Sequence, residues 1–278
     1  MNLPEHISYS QYNTYTQCPR SWYLSYIRQA KQVQTWYLPI GTAVHKMVED
    51  WINPKKHFAG RDGIKAEDYF YPLVSAQMQI EPDLSKWLAG GPKADPVSEG
   101  KALQRVKDCF ERALEFLDDV DVWEVEYDAT GSLPGLSVPI KAYIDIVGEY
   151  RGPIKKLKGP VVDDWKSGAK KPDDFQLLTY GARLKLDPRF KDLKFKGRYC
   201  MLSPGAAVAR PIDLSAVDPA EIGAKYQKVR EGMESMQIQA KQKFMCKMCF
   251  NHPNCIEYAG VTNRSVYYDR SRFDQPPF

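Results

Sequence analysis

Long apolar runs are missing from this sequence. No stretch approaches the roughly 18 consecutive apolar residues that a transmembrane helix needs, so we expect no membrane-spanning segment. The first residues, MNLPEHISYSQ, lack the basic segment and apolar stretch of a secretory signal peptide. Together these absences predict a protein of the cytoplasm, which is a reducing intracellular compartment.

Cysteine is also scarce. Six cysteines in 278 residues are too few for a disulfide scaffold, and in a reducing compartment clustered cysteines indicate metal binding. The sequence has no G-x-x-x-x-G-K-[ST] loop, so it lacks a helicase motif, and any unwinding would come from a helicase or recombination partner. The hydrophobic fraction of 43% is ordinary and predicts a folded globular chain.

The small net charge of +4 conceals an uneven distribution. Residues 101–150 hold 5 basic and 11 acidic residues, whereas residues 151–200 hold 14 basic and 6 acidic residues. Two solvated faces would explain this pattern. A phosphate-binding surface beside a metal-binding carboxylate cluster would explain it too. Charge alone favours the solvated faces.

Hydrophobic periodicity predicts an α/β protein with helices at both ends. Ser8 is predicted to cap the first helix, with Gln11 as its capping-box partner. We expect further helices, or helical pieces, near 22–26, 41–51, 65–80, 99–118, 172–186 and 219–239. We expect strands over 121–128, 138–150, 161–165, 197–202 and 207–212.

The strongest chemical signal is a pair of acidic strands. Asp145 lies in one predicted strand, and Asp164-Trp165-Lys166 ends the next. Since side chains two residues apart in a strand share a face, Asp164 and Lys166 project together and Asp163 projects away. Two carboxylates beside an ammonium suit Mg²⁺ or Mn²⁺ and phosphate chemistry. A surface ion pair is the simpler interpretation of Asp-x-Lys, but the apolar residues before it place the motif on a buried strand.

Several motifs occur together in an order that resembles the RecB-like branch of the PD-(D/E)xK nuclease superfamily. In chain order they are Ser8-Tyr9-Ser10-Gln11, Cys18-Pro19-Arg20, Gly41-Thr42-Ala43-Val44-His45, Asp145, Asp164-Trp165-Lys166 and Gln176-Leu177-Leu178-Thr179-Tyr180. This resemblance implies a restriction-endonuclease-like core, in which a central mixed sheet is flanked by helices.

The resemblance also implies a divalent metal site. Asp145 and Asp164 would be metal ligands, with His45 as a third ligand or as a group that fixes a ligand in place. The backbone carbonyl of Trp165 would complete the site. Glu49, one helical turn after His45, is an additional candidate, although a surface pair with Lys46 explains it equally well.

The resemblance implies roles in the reaction itself for three residues. Lys166 would be the catalytic lysine. Gln176 and Tyr180 lie four residues apart on one predicted helix face, where they could orient Lys166 or a DNA phosphate. Core packing is the alternative interpretation for Tyr180.

Four cysteines form a second candidate site. Cys246, Cys249 and Cys255 are closely spaced, and Cys18 would supply a fourth thiolate if the chain ends meet. Four thiolates suit a 4Fe–4S cluster or zinc, and His252 leaves a three-cysteine, one-histidine zinc site open. One cysteine before the core and three after it resembles the iron–sulfur members of the branch, namely the AddB C-terminal domain and the CRISPR-associated exonuclease family. The cluster would then be a staple joining the two chain ends. Cys109 and Cys200 are predicted core residues.

Basic and aromatic residues suggest DNA contacts. Candidates are Arg20, Tyr23, Lys170 and Lys171, together with the basic turn 151–158. Trp22 beside them is predicted to be a core residue. No element suited to reading base edges is visible, so we expect no sequence specificity.

The sequence therefore predicts one nuclease domain over residues 1–278. It would comprise a helical part (1–118), a core (119–215) and a C-terminal helix with the cysteine cluster (216–278). The predicted function is a metal-dependent exonuclease acting on single-stranded DNA or DNA ends. The alternatives are an endonuclease or CRISPR-type DNA-processing nuclease and, in another class, a DNA-binding subunit with a vestigial site. The oligomeric state stays open.

Overall fold

The structure is a computed structural model. It describes residues 3–53, 63–87, 98–168, 173–206, 210–241, 246, 249–251 and 254–255. The predicted DNA contacts Lys170 and Lys171, and also His252, lie outside these residues.

Helices occupy most of the N-terminal part and the region after the sheet. The α-helices are α1 (Tyr9–Gln17), α2 (Pro19–Trp22), α3 (Tyr37–Ile52), α4 (Ala66–Met78), α5 (Glu99–Leu117), α6 (Phe175–Leu184) and α7 (Pro219–Glu234). A π-helical turn, Tyr23–Ile27, continues α2, and short 3₁₀ turns lie at Leu84–Lys86 and Lys155–Leu157. The helical pieces predicted near 65–80 and the helix predicted over 99–118 are confirmed.

The strands form a mixed sheet and a small parallel pair. They are β1 (Ile7–Ser8), β2 (Val120–Asp128), β3 (Ile140–Lys141), β4 (Tyr143–Tyr150), β5 (Gly159–Lys166), β6 (Lys196–Met201) and β7 (Ile212–Asp213). The five-stranded sheet has the order β2-β4-β5-β6-β7, and β1 pairs with β3. Within the sheet β5 and β6 are parallel, and the other neighbours are antiparallel.

Each face of the sheet is covered by its own hydrophobic core. One core joins α1, α6 and α7 to Val147 and Val162 of the sheet. The other joins α3, α4 and α5 to Ile146, Val161 and Trp165. Neighbouring residues of one strand thus serve opposite cores, as the two-residue repeat of a strand requires. The predicted α/β architecture, a mixed sheet flanked by helices, is confirmed. The structure also places Cys109 and Cys200 in the core, as predicted.

The C-terminal helix is shorter than its polar pattern predicts. A helix was expected to residue 239, but α7 ends at Glu234 because Met236 adopts a left-handed backbone conformation with φ of 53°. Gln237 N–H then donates to Gly232 C=O at 2.9 Å, and Met236 N–H donates to Met233 C=O at 3.1 Å. These two bonds are those of a Schellman motif, which ends a helix.

Three smaller expectations are only partly met. Ser8 caps α1 by accepting from the Gln11 N–H, but the Gln11 side chain does not return a bond to Ser8 and lies 3.4 Å from the His6 carbonyl. The strand predicted over 138–150 is interrupted at Ala142. A strand was predicted over 207–212. Residues 207–209 lie outside the residues that the structure describes, and the observed strand covers Ile212–Asp213.

Candidate active site

Two neighbouring strands bring the predicted carboxylates together. β4 and β5 are antiparallel, with Ile146 opposite Asp163, so that Asp145 and Asp164 lie side by side on the next rung. Both side chains are buried. The apolar residues of these strands fix the register, because a shift by one residue would turn Val147 and Val162 away from their core.

Asp145 is held by a backbone donor and by a histidine. Its Oδ2 accepts a hydrogen bond of 2.6 Å from the Trp165 N–H. Its Oδ1 lies 3.3 Å from Nδ1 of His45, which reaches the site from α3. The N–H of Trp165 therefore has a role that the sequence did not predict. The proposal that its carbonyl binds metal stays a prediction.

Gly41 explains how α3 comes so close to the end of β5. A Cβ atom added to Gly41 would lie 3.3 Å from Oγ of Ser167, the residue after Lys166. The absence of a side chain at Gly41 lets the helix pack against this strand end, one turn before His45.

Glu126 is a site residue that sequence reasoning missed. Its Oε1 lies 3.4 Å from Nδ1 of His45, the same nitrogen that faces Asp145. Glu126 has a left-handed φ of 50°, and the pairing of β2 with β4 shifts nearby, between Val122 and Glu124. Such irregularities in a strand re-aim side chains. No local signal in the sequence marks Glu126, because its place beside His45 and Asp145 follows from the pairing of β2 with β4.

A second row of contacts runs from α6 to β5. The amide of Gln176 donates to the Tyr180 hydroxyl at 2.7 Å, and that hydroxyl donates to Asp164 Oδ1 at 3.1 Å. On the other side of the carboxylate, Nζ of Lys166 lies 2.5 Å from Oδ2. The helix pair Gln176 and Tyr180 thus contacts Asp164. The suggestion that the pair orients Lys166 or a DNA phosphate stays a prediction.

Burial and charge shift the ionisation of the carboxylates in opposite directions. Burial raises the pKa of Asp164 to about 6, against the effect of the Lys166 ammonium and with the added repulsion of Asp145. Burial also acts to raise the pKa of Asp145, but His45, Lys166 and the Trp165 N–H outweigh it, and that pKa lies below its usual value.

The basic groups and the tyrosine hold their protons. Burial disfavours a charged His45, but Asp145 and Glu126 outweigh this effect and raise the pKa of His45 to about 10. Burial likewise disfavours the Lys166 ammonium, yet Asp164 and Asp145 raise the pKa of Lys166 above its usual value. Burial raises the pKa of Tyr180 well above 10, so its hydroxyl acts as a donor. Since a metal-bound histidine must be neutral, metal binding here would release the His45 proton.

The residues fit a hard divalent cation. Ligand atoms of His45, Glu126 and Asp145 all lie within 4.8 Å of one another. Next to them the buried Asp164 carboxylate has a cation beside it, because Nζ of Lys166 lies 2.5 Å from Oδ2. Buried carboxylates are costly unless cations accompany them. Asp164 itself is not a member of the group of three.

Glu49, the additional carboxylate that the sequence suggested, is paired elsewhere. Its Oε2 lies 2.8 Å from Nζ of Lys46, which is the surface pair that had been the alternative explanation.

The end of β5 is held by side chains from other elements. Arg105 of α5 donates to the Ser167 carbonyl at 2.9 Å, and the Ser203 hydroxyl donates to the same oxygen at 2.6 Å. These bonds fix the backbone next to Lys166. Arg105 was not predicted, because its place on a helix far along the chain carries no local signal.

The cysteine segment at the C-terminal end packs against the residues after Cys18. Cys249 Sγ lies 3.7 Å from Oγ of Ser21, and the Asn251 amide donates to both Ser21 and Ser25. The Val33 N–H donates to the Phe250 carbonyl at 3.0 Å. The two ends of the described chain therefore meet, as a shared cysteine site requires. Cys18, Cys246, Cys249 and Cys255 are half-buried.

Several residues predicted to contact DNA are partly buried or form ion pairs within the protein. Trp22 is buried in the core, as predicted, and the neighbouring Arg20 and Tyr23 are half-buried. In the basic turn, the guanidinium of Arg151 lies 2.7 Å from Asp121 and 3.2 Å from Glu149. Part of the positive charge of this turn is therefore compensated within the protein.

Sequence comparison identifies the class to which this fold and site belong. A sequence model of the PD-(D/E)XK nuclease superfamily matches residues 6–255. The chain therefore belongs to the PD-(D/E)XK nuclease superfamily.

Two particular proteins resemble the chain. The Gene 69 protein of Mycobacterium phage D29 is 25% identical over 261 residues, which cover 87% of this chain and 93% of the phage protein. The crystal structure of a proposed exonuclease from Eubacterium rectale is 12% identical with a TM-score of 0.44, and the match covers 95% of this chain and 99% of the other. At this TM-score the structural likeness adds no argument about function. Within the described residues, no helix is long and apolar enough to cross a membrane.

Proposed function

We propose that the protein is a metal-dependent DNA exonuclease that hydrolyses phosphodiester bonds of single-stranded DNA or DNA ends. The observation that carries the proposal is the grouping of His45, Glu126 and Asp145, from α3, β2 and β4, beside the Asp164–Lys166 pair of β5. A bound Mg²⁺ or Mn²⁺ would polarise the phosphate and lower the pKa of a bound water.

The side chains have separate roles in this reaction. His45, Glu126, Asp145 and Asp164 would hold the cation. The Lys166 ammonium, anchored on Asp164, stabilises the negative charge that develops on the phosphate as water attacks and the bridging oxygen leaves. Tyr180 and Gln176 are positioning residues, because they fix the Asp164 carboxylate from α6.

Cleavage of a labelled single-stranded oligonucleotide with Mn²⁺ tests the active site. Asp164→Asn and Lys166→Ala are expected to abolish cleavage and to leave DNA binding largely intact. Lys86→Ala, at an exposed lysine outside the site, is the matched control and should cleave like the wild type. Cleavage at the wild-type rate by both active-site variants would refute the assignment of the active site, whereas DNA binding without cleavage by the wild type would favour the binding-subunit alternative.

A circular single strand separates the two nuclease modes. An exonuclease needs an end, so it should degrade the linear form and leave the circle intact. Cleavage of both forms at similar rates would identify the endonuclease alternative instead.

We also propose that Cys18, Cys246, Cys249 and Cys255 bind a 4Fe–4S cluster that joins the chain ends. The support is the thiolate set and the contact of the Cys249 segment with Ser21, close to Cys18. A protein purified without oxygen should be brown and contain iron, and Cys249→Ser should lose the colour and lower the thermal midpoint. A colourless protein with stoichiometric zinc would establish the zinc alternative.

A further inference from the structure

A cavity of about 530 Å³ adjoins the active site. Gln176 and Tyr180 form part of its wall, and the Tyr180 hydroxyl donates to Asp164. The cavity therefore lies directly beside Gln176 and Tyr180, the two residues of α6 whose hydrogen bonds lead to Asp164. Its volume lies within the range of pockets that hold small ligands.

The chain segment before Asp145 borders this cavity. Lys141 and Tyr143 lie four and two residues before Asp145, on either side of the strand interruption at Ala142, and all three residues from 141 to 143 line the cavity. A cation and an aromatic ring thus precede the candidate metal ligand Asp145 in one chain segment.

The side chains that line the cavity differ in chemistry from those of the active site. On the side opposite this segment they are hydroxyl, amide and aromatic groups at the start of α1, namely Ser8, Tyr9 and Gln11. Among the described residues that line the cavity none is a carboxylate, whereas the adjoining site holds Glu126, Asp145 and Asp164. A helix N-terminus also favours negative charge. The cavity suits an anion that carries a flat, partly polar ring.

Tyr143 is placed to contact such a ring. Its side chain is large and 45% exposed, and the Lys141 ammonium lies 5.8 Å from the centre of its ring. Exposed aromatic rings beside cations are the groups on which single-stranded nucleic acids stack.

We propose that this cavity holds the base of an unpaired nucleotide adjoining the cleaved bond, with the base stacked on Tyr143 and its phosphate near Lys141. A base in a duplex is paired and stacked and does not enter such a pocket without being extruded. The cavity therefore makes single-stranded DNA the preferred substrate. This inference rests on the proposed nuclease function, whose substrate class it names.

The affinity for a short thymidine oligonucleotide, measured by fluorescence anisotropy in EDTA, tests the stacking contact without cleavage. Tyr143→Ala should weaken binding about 5- to 150-fold, the range found for loss of one base–aromatic stack, and Tyr143→Phe should retain it. Tyr71→Ala is the matched control, because Tyr71 is 40% exposed but does not line the cavity. It should bind like the wild type.

A set of oligonucleotides with one abasic site at each position in turn locates the bound base. The wild type should lose affinity at one position, and Tyr143→Ala should be insensitive to base removal at that position only. Equal affinity of Tyr143→Ala and wild type, or unchanged sensitivity of Tyr143→Ala along the strand, would overturn the inference. If the wild type cleaves DNA in either case, the proposed function stands. If it neither binds nor cleaves, the proposed function itself fails.

Discussion

Replacing Arg198 with methionine would break an ion pair that lies behind the active-site strand. Arg198 is 2% exposed and Asp163 is 1% exposed. Nε of Arg198 donates to Oδ1 of Asp163 at 2.9 Å, and Nη2 donates to Oδ2, so that the pair is bidentate. The guanidinium also lies 5.0 Å from the ring centre of Phe116 and 5.2 Å from that of Tyr150.

The expected loss of stability is large because the charge that remains is buried. Removing one partner of a buried pair typically costs about 3–5 kcal/mol, since the other charge has no compensation. A folded domain has only about 5–15 kcal/mol in total, so this variant would lose a large fraction of its free energy of unfolding. Arg151→Met is the matched control. Its partner Asp121 is 49% exposed, and such surface pairs contribute about 0.2–1 kcal/mol.

Urea unfolding followed by circular dichroism measures both variants. Arg198→Met should shift the midpoint strongly to lower urea, and Arg151→Met only slightly. The double variant Asp163→Leu, Arg198→Met should recover much of the loss, because no unpaired charge is left. A loss below about 1 kcal/mol for Arg198→Met would show that water reaches Asp163 and would refute the argument from burial.

Three further predictions concern the site and the cysteines. Tyr180→Phe removes the donor to Asp164 and should lower cleavage about 10- to 100-fold, as loss of groups that orient metal ligands does, with little effect on DNA affinity; an unchanged rate would contradict its positioning role. Glu126→Gln should raise the Mn²⁺ concentration needed for half-maximal cleavage, and an unchanged metal titration would remove Glu126 from the ligand set. Burial raises the thiol pKa of Cys109 to about 11 and that of Cys200 well above 9, so iodoacetamide at about pH 8 should modify neither until urea unfolds the protein. Mass spectrometry of labelled peptides checks this, and labelling of the native protein at either residue would contradict it.

The sequence predicts the strand that carries Asp164 and Lys166 because its signals are local. A two-residue repeat sets the direction of each side chain, and the apolar residues at 161 and 162 identify the buried strand. The same repeat correctly sends Asp163 to the opposite face. Helix α5 was equally predictable from its regular apolar spacing.

Residues that depend on strand pairing or on distant packing could not be predicted. Glu126 enters the site through the pairing of β2 with β4 and through its left-handed backbone. Arg105 reaches Ser167 across 62 positions of sequence. The early end of α7 was missed because a non-glycine residue, Met236, takes the conformation that usually marks a glycine.

The adjacent carboxylates Asp163 and Asp164 make the register of β5 ambiguous during folding. A β5 strand displaced by one residue would still direct an acidic side chain toward the metal ligands, but it would direct Trp165 instead of Lys166 beside it. Arg198 lies directly opposite Asp163 on the parallel neighbour β6. The displaced strand would place Val162 against that position and leave the charge of Arg198 uncompensated. Arg198 thereby disfavours a displaced register of β5, in which an acidic side chain would still face the site but Lys166 would not.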